Sequence, residues 1–323
     1  MLRCVRLACM VLAGVLLAPS ASFCTSYYLL PPFANVVWTG KAVVVAYDAG
    51  ADVRVQGHDA TNGSVCWSRR IPAATLARDI CEEQGLVYVA TSNQGIYVLN
   101  SDTGSVKARL RPHSPVAGEP LLACAKNRVL VAYAYDKWLI AYSTQNLRPV
   151  WKHVFRSSSI YEMAARGDKF TVLVLNLSSR EHWKQVVFLS DNGRFLARRP
   201  ATAPAYAVPE YLPKAVREWF SKKVGVNSGA GRTTYERRGK LWFVGVPAEL
   251  CSSGNIYAVR DDGHVVWTKS VKGLSSMVSA HDRLIAAAVH YDDRQGDVWP
   301  GSVELFALDV TTGRQLWLVD LRP

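Results

Sequence analysis

The chain lacks any stretch of about 20 consecutive apolar residues, the length a helix needs to cross a bilayer. Its N-terminal apolar run, Leu7–Leu17, is eleven residues. No C-x₂-C pair occurs, so the seven cysteines offer no zinc-ligand spacing. The sequence also contains no G-x-S-x-G, Walker, H-E-x-x-H or EF-hand motif, and a catalytic nucleophile cannot be named from it. Acids are scarce, 26 against 38 Lys and Arg. With 49% apolar residues the chain is not disordered, and its frequent aromatic and β-branched residues exclude a coiled coil.

What is present favours strands and turns: 22 Gly, 15 Pro and many short β-branched runs in 323 residues. Residues 1–23 carry Arg3 and Arg6, then the apolar run, then Ala18-Pro19-Ser20-Ala21-Ser22, the order of a secretory signal peptide; an uncleaved anchor is the alternative. Cys24 stands where a bacterial lipoprotein carries its lipid, although Phe23 occupies a position where that pattern has a small residue. Cys66, Cys81, Cys124 and Cys251 would then remain, either pairing in one of three connectivities or staying as buried thiols.

Six segments share one ending: a turn, three residues, then Trp67, Ala108, Trp151, Ala197, Trp267 or Trp317. Five of the turns hold glycine (Gly63, Gly104, Gly193, Gly263, Gly313), and Leu147 takes its place in the other. Successive turn positions are 41, 43, 46, 70 and 50 residues apart, and each turn follows short alternating and continuously apolar strands. The unit is a four-stranded antiparallel sheet. Such a sheet has two apolar faces, which only neighbouring sheets can cover, so the pattern predicts an all-β ring of six recognisable blades, with six to eight allowed. The recurring Trp would fill the space between blades.

The endings resemble the PQQ-like (quinoprotein-type) β-propeller repeat, A-x-D-x-x-T-G-x-x-x-W. Ala307, Asp309, Thr312, Gly313 and Trp317 match it fully, and the other copies are decayed. The resemblance covers residues 34–321 apart from one insertion, and "YYLLPPF" (27–33) could add a strand that closes the ring. Quinoprotein dehydrogenases use this repeat to hold PQQ with calcium, beneath a ring formed by adjacent cysteines. No Cys-Cys dipeptide occurs here. The resemblance therefore implies the fold and not the redox chemistry, with no cofactor and no metal expected. His290, Asp292 and Asp293 form one carboxylate-histidine cluster, read as a solvated loop between strands, and His58-Asp59 and His281-Asp282 sit at loops or strand ends. The BamB-like lipoproteins of this family imply a non-enzymatic scaffold of the bacterial cell envelope, binding the outer-membrane assembly protein or its substrates. A quinoprotein-type oxidoreductase or a small-ligand-binding propeller is the competing class.

The 70-residue step carries an insertion at about 199–230. Within it, Tyr211, Leu212, Ala215, Val216, Trp219 and Phe220 recur at three- and four-residue steps, with Lys214, Arg217, Glu218, Ser221 and Lys222 on the other face, which predicts an amphipathic helix. Residues 210–240 hold eight Lys and Arg against three acids. Two outcomes follow. Either Tyr211, Leu212, Trp219, Phe220, Lys222 and Lys223 dock on an acidic protein of the envelope or on anionic lipid, or Trp219 and Phe220 fold back on the propeller and the basic face is solvated. Export disfavours a nucleic-acid partner.

Overall fold

The structure is a computed structural model that describes residues 34–50, 52–72, 74, 77–91, 95–110, 120–133, 137–176, 183–200, 212–223, 233–246, 253–294 and 297–321. The expected signal peptide, Cys24, the strand at 27–33, Tyr211 and Cys251 lie outside them. Among the described residues twenty-four strands form six sheets, each of four consecutive antiparallel strands. Sheet one is β1 (Ala34–Trp38), β2 (Ala42–Asp48), β3 (Val53–Asp59) and β4 (Val65–Ile71). Sheet two is β5 (Ala77–Glu83), β6 (Leu86–Thr91), β7 (Gly95–Asn100) and β8 (Val106–Leu110). Sheet three is β9 (Pro120–Ala125), β10 (Arg128–Tyr133), β11 (Trp138–Ser143) and β12 (Pro149–Val154). Sheet four is β13 (Ser158–Arg166), β14 (Lys169–Asn176), β15 (Trp183–Leu189) and β16 (Phe195–Pro200). After helix α1 (Lys214–Lys223), sheet five is β17 (Thr234–Arg238), β18 (Leu241–Val246), β19 (Ser253–Arg260) and β20 (Val265–Lys272). Sheet six is β21 (Leu274–Ala280), β22 (Arg283–Arg294), β23 (Asp297–Asp309) and β24 (Gln315–Leu321).

This is a β-propeller, and its core lies between blades. Separate apolar clusters join sheets one and two, two and three, three and four, five and six, and six and one. The last of these closes the series. Among the described residues no sheet mixes strands from both ends of the chain, and sheets six and one meet by face packing, helped by the Ser276 hydroxyl, which accepts from the Val36 N–H at 3.0 Å. The third strand of every blade shifts register against the fourth at the same place, from Gly57/His58 in sheet one to Ala307/Leu308 in sheet six. Such a bulge increases local twist and aims the ending residue toward the next blade.

The repeat motif acquires a physical meaning here. In sheet six the Asp309 carboxylate accepts from the Thr311 and Thr312 amides at 3.0 and 2.8 Å and from the Thr312 hydroxyl at 2.9 Å, fixing the turn. The carbonyl of the next residue, Val310, is left to accept the indole N–H of Trp267 from the preceding sheet at 3.0 Å. Trp317 does the same to Ala60 O (3.1 Å), Trp67 to Ser101 O (2.9 Å) and Trp151 to Ser190 O (3.0 Å). Each indole also lies on the turn glycine of the blade it reaches. A Cβ on Gly104 would stand 2.3 Å from the Trp67 ring, and one on Gly193 2.5 Å from Trp151. Both glycines have positive φ, so the socket requires glycine twice over, for conformation and for space.

Two seams have no such lock. Sheet two ends in Ala108, and the sheet-three turn it faces carries Leu147 in place of glycine. That seam is bridged by a disulfide between Cys81 on β5 and Cys124 on β9, with Cα atoms 5.9 Å apart. Around it the Asp79 carboxylate accepts from the Leu122 amide at 3.1 Å, Glu83 accepts from the Asn127 amide at 3.0 Å, and the Thr144 hydroxyl donates to Gln84 at 2.8 Å. Of the three connectivities left open by sequence, the structure thus contains the 81–124 pair, while Cys66 is an exposed thiol. The other seam, between sheets four and five, begins at Ala197 and is occupied differently.

Trp67→Ala should cost about 3–5 kcal/mol in urea unfolding. Gly104→Ala should cost about 1–3 kcal/mol in the native background and markedly less in the Trp67→Ala background, because its clash partner is gone. Additive losses would contradict the lock. Replacing Cys81 and Cys124 by Ser should cost about 2–4 kcal/mol, with amide exchange accelerated first on β5 and β9.

Candidate functional site

Helix α1 forms where the sequence predicts it. Its first turn contains the Arg217 amide bonded to the Pro213 carbonyl at 3.0 Å, and Lys222 and Lys223 in the last turn suit the negative end of the helix dipole. Lys214 and Glu218 pair at 3.8 Å across one turn. Its apolar side is spent on sheet five. Leu212 (2% exposed), Val216 and Phe220 (5%) pack on Trp242, Val244, Val246 and Val259. Trp219 is half-buried, edge-on to Tyr257 at 5.1 Å, and Phe220 meets Tyr235 at 6.1 Å.

The helix stands where an indole would stand. The Ala215 carbonyl lies 2.9 Å from the place of a Cβ on Gly263, the turn glycine of sheet five. That turn is also one residue tighter than the others: the Gly263 amide bonds to Arg260, three residues back, whereas Gly63, Gly104, Leu147, Gly193 and Gly313 bond four back. No apolar cluster is shared by sheets four and five among the described residues, and α1 covers the face of sheet five opposite the one packed on sheet six.

This placement corrects one expectation. Leu212 and Phe220 are buried against their own chain and are not part of a docking surface, since sheet five has no neighbouring tryptophan to cover that face. Trp219 keeps one partly open edge, and Lys222 and Lys223 are exposed. Outward from the sheet, Lys214, Arg217, Glu218, Ser221 and Lys222 line a shallow concavity of about 410 Å³ with a net positive charge.

A second correction concerns His290, Asp292 and Asp293. They belong to strand β22, which pairs with β23 in a long hairpin, and not to a loop. The His290 Nε2 lies 2.9 Å from a Glu304 carboxylate oxygen on the facing strand. Among the described residues no three His, Cys, Asp or Glu side chains converge on a point where an ion could bind. His58 is fully buried, its Nδ1 is 2.9 Å from the Gly63 carbonyl and burial lowers its pKa, so it serves the turn.

The charge is segregated in a way that sequence order conceals. The outermost strands of sheets one to five carry Arg69 and Arg70, Lys107 and Arg109, Lys152, Arg198 and Arg199, and Lys269 and Lys272, and no acid. The first strands are mixed, holding Asp79, Glu82, Glu83, Glu162 and Glu236 together with Arg78, Arg166, Arg237 and Arg238, so only the outer strands are of one sign. The rim is basic.

A family model described as "Outer membrane protein assembly factor BamB" matches residues 51–210. Those residues carry the PQQ-like β-propeller repeat. Among solved structures, BamB from Moraxella catarrhalis is 14% identical to this PQQ-like propeller over 90% of its chain and 76% of the other, with a TM-score of 0.40. The computationally designed protein Ika8 is 12% identical over 88% and 86% (TM-score 0.45), and a chain of the Mitotic Checkpoint Complex 10% over 92% and 78% (0.42). No curated protein matches the chain.

Glu236 gives this propeller a pH dependence. It is largely buried where sheet five meets sheet six, and its carboxylate accepts from the Ser279 amide at 3.3 Å. Burial outweighs that bond and pushes its pKa up to about 7. The folded state therefore holds a proton that the unfolded chain releases near pH 4.5, so the contribution of Glu236 to stability is fully present below that and is lost as pH rises through about 7. Glu236→Gln should remove about 3 kcal/mol of this loss between about pH 5 and pH 9 in urea titrations, leaving the variant the more stable protein at the alkaline end.

Proposed function

We propose that the protein is a non-enzymatic scaffold of the bacterial cell envelope, exported by residues 1–23 and carrying lipid on Cys24, and that it binds an acidic protein partner through the basic face of α1. One observation carries the reading. The apolar side of the helix is consumed by sheet five, so Lys214, Lys222 and Lys223 are held exposed on a rigid support rather than on a loop. A positive surface fixed in this way steers an acidic partner into one orientation and raises its association rate. The description of the matching family supports a place in outer-membrane protein assembly, and the segregated pair of Cys81 and Cys124 suits an oxidising compartment. Anionic lipid head groups would meet the same lysines.

Reversing Lys214, Lys222 and Lys223 to Glu should reduce recovery of the envelope partner at least about tenfold, with the melting temperature unchanged, because exposed charges contribute little to folding. Trp219→Ala with Phe220→Ala should instead destabilise sheet five. Recovery unaffected by the charge reversal would remove α1 from the interface. A thermal shift with PQQ and calcium, accompanied by dye-linked dehydrogenase activity, would replace the scaffold reading with a quinoprotein one.

A further inference from the structure

We infer that the outer strands of sheets one to five form a cationic track that binds a long, flexible acidic polysaccharide lying across the blades. The inference goes beyond the α1 interface and adds a second surface with its own ligand class. It starts from position within the repeat. Every outer strand restarts from the same register shift, so residues counted from the repeat-ending Trp or Ala stand at one level in each blade. One or two residues past that ending come Arg69, Arg109, Lys152, Arg198 with Arg199, and Lys269, one blade after another. No carboxylate faces any of them in the strand register, where their partners are Val55, Tyr97, Ile140, Val186, Gln185 and Ile256. Sheet six breaks the series: Leu318 and Val319 hold the two positions, and Glu304 faces Asp320.

Three of the cations are also held in place by neutral groups. Arg109 lies over the Tyr97 ring at 5.4 Å, Lys152 over Trp138 at 5.5 Å, and the Arg69 Nε donates to the Gly104 carbonyl at 3.1 Å. Arginine predominates, and its planar fork suits the oxygens of sulfate, phosphate and carboxylate groups. One or two residues before the ending, each of the same blades leaves an aliphatic side chain in water: Val65, Val106, Val150, Leu196 and Val266, 36–53% exposed. An apolar patch beside a cation therefore recurs from blade to blade along a curved wall. An acidic polysaccharide matches both halves of that unit, because its rings carry apolar C–H faces and its substituents carry the charge. A run of acidic side chains supplies only the charge, and a flat bilayer touches only neighbouring blades of a curved wall.

The test uses the full chain and fluorescent heparin fragments of four and sixteen sugars, read by anisotropy across a salt series. Arg69→Gln, Arg109→Gln, Lys152→Gln and Lys269→Gln should each weaken the longer fragment about threefold and lower the slope of log affinity against log salt by about 1, whichever blade carries the change. The shorter fragment, which can move to another blade, should lose less than about twofold. Leu318→Arg, which places a cation at the same level on sheet six, should strengthen the longer fragment about threefold. Equal losses from Lys169→Gln and Arg260→Gln, exposed cations off the outer strands, would overturn the track in favour of unspecific attraction to a basic protein. Equal losses for both fragments would overturn contact across blades. Polyglutamate of matched charge binding as tightly would assign the track to an acidic protein instead. Anionic vesicles binding as tightly, with losses confined to adjacent blades, would assign it to a membrane. No binding of either fragment would overturn the inference outright. Neutralising the track should leave recovery of the envelope partner unchanged, so failure here and failure of the α1 interface are read separately.

Discussion

An indole laid across a glycine turn, with its N–H on the carbonyl that the turn leaves open, is the contact from which the rest of this propeller follows. It solves two problems at once. A four-stranded blade cannot cover its own faces, and the outer end of each seam is where cover is thinnest. A tryptophan supplies more apolar area there than any other side chain, and its one polar atom is satisfied at about the normal hydrogen-bond length. The socket is as specific as the plug. Where the tryptophan is missing, the receiving turn has changed as well: Leu147 faces the seam that starts at Ala108, and the tightened Gly263 turn faces the one that starts at Ala197. Plug and socket have been lost together, which is what coupling through a close steric contact requires.

The two altered seams are closed by unrelated means. Between sheets two and three a covalent bond and a set of charged and amide side chains replace the apolar contact, so that seam gains from constraint of the unfolded chain what it lacks in indole area. Between sheets four and five the chain inserts a helix, and the helix buries its apolar stripe on the face that would otherwise be uncovered. A structural repair and a binding surface are then two sides of one element. The side that closes the seam fixes the orientation of the side that bears the lysines.

Six repeats, their turn positions and the amphipathic helix were legible because each rests on local periodicity, a turn separated by three residues from an aromatic, alternating strands, and apolar residues at helical steps, whereas the number of blades was left open between six and eight. The partners of those residues were not, because they lie a whole blade away. Nothing near Trp67 names Ser101, and nothing near Cys81 selects Cys124 from the three pairings. The same limit decided the helix. Sequence could state that Leu212 and Phe220 share a face, but whether that face meets a partner or its own chain depended on Ala197, 15 and 23 residues upstream at the end of another sheet. His290, Asp292 and Asp293 were misread for a different reason: a hairpin with polar residues at its tip has the composition of a loop, and only the pairing of β22 with β23 distinguishes the two.

Open outer edges pose the opposite problem to open seams, and the charge distribution answers it. Six blades expose six strands with unpaired backbone groups, each a template for pairing with another molecule. Lysine and arginine on five of them make pairing between copies of this chain electrostatically unfavourable without removing a single backbone donor or acceptor. The same arrangement does not repel an acidic strand. A positive sign on five of the six outer strands, with Asp320 on the sixth, therefore converts a general hazard into a selective property: self-association between those five is opposed, and what remains admissible is a partner of the other charge. Each outer strand also leaves an apolar side chain exposed, Val65, Val106, Val150, Phe195, Val266 and Leu318, so the admissible partner has apolar area to gain as well.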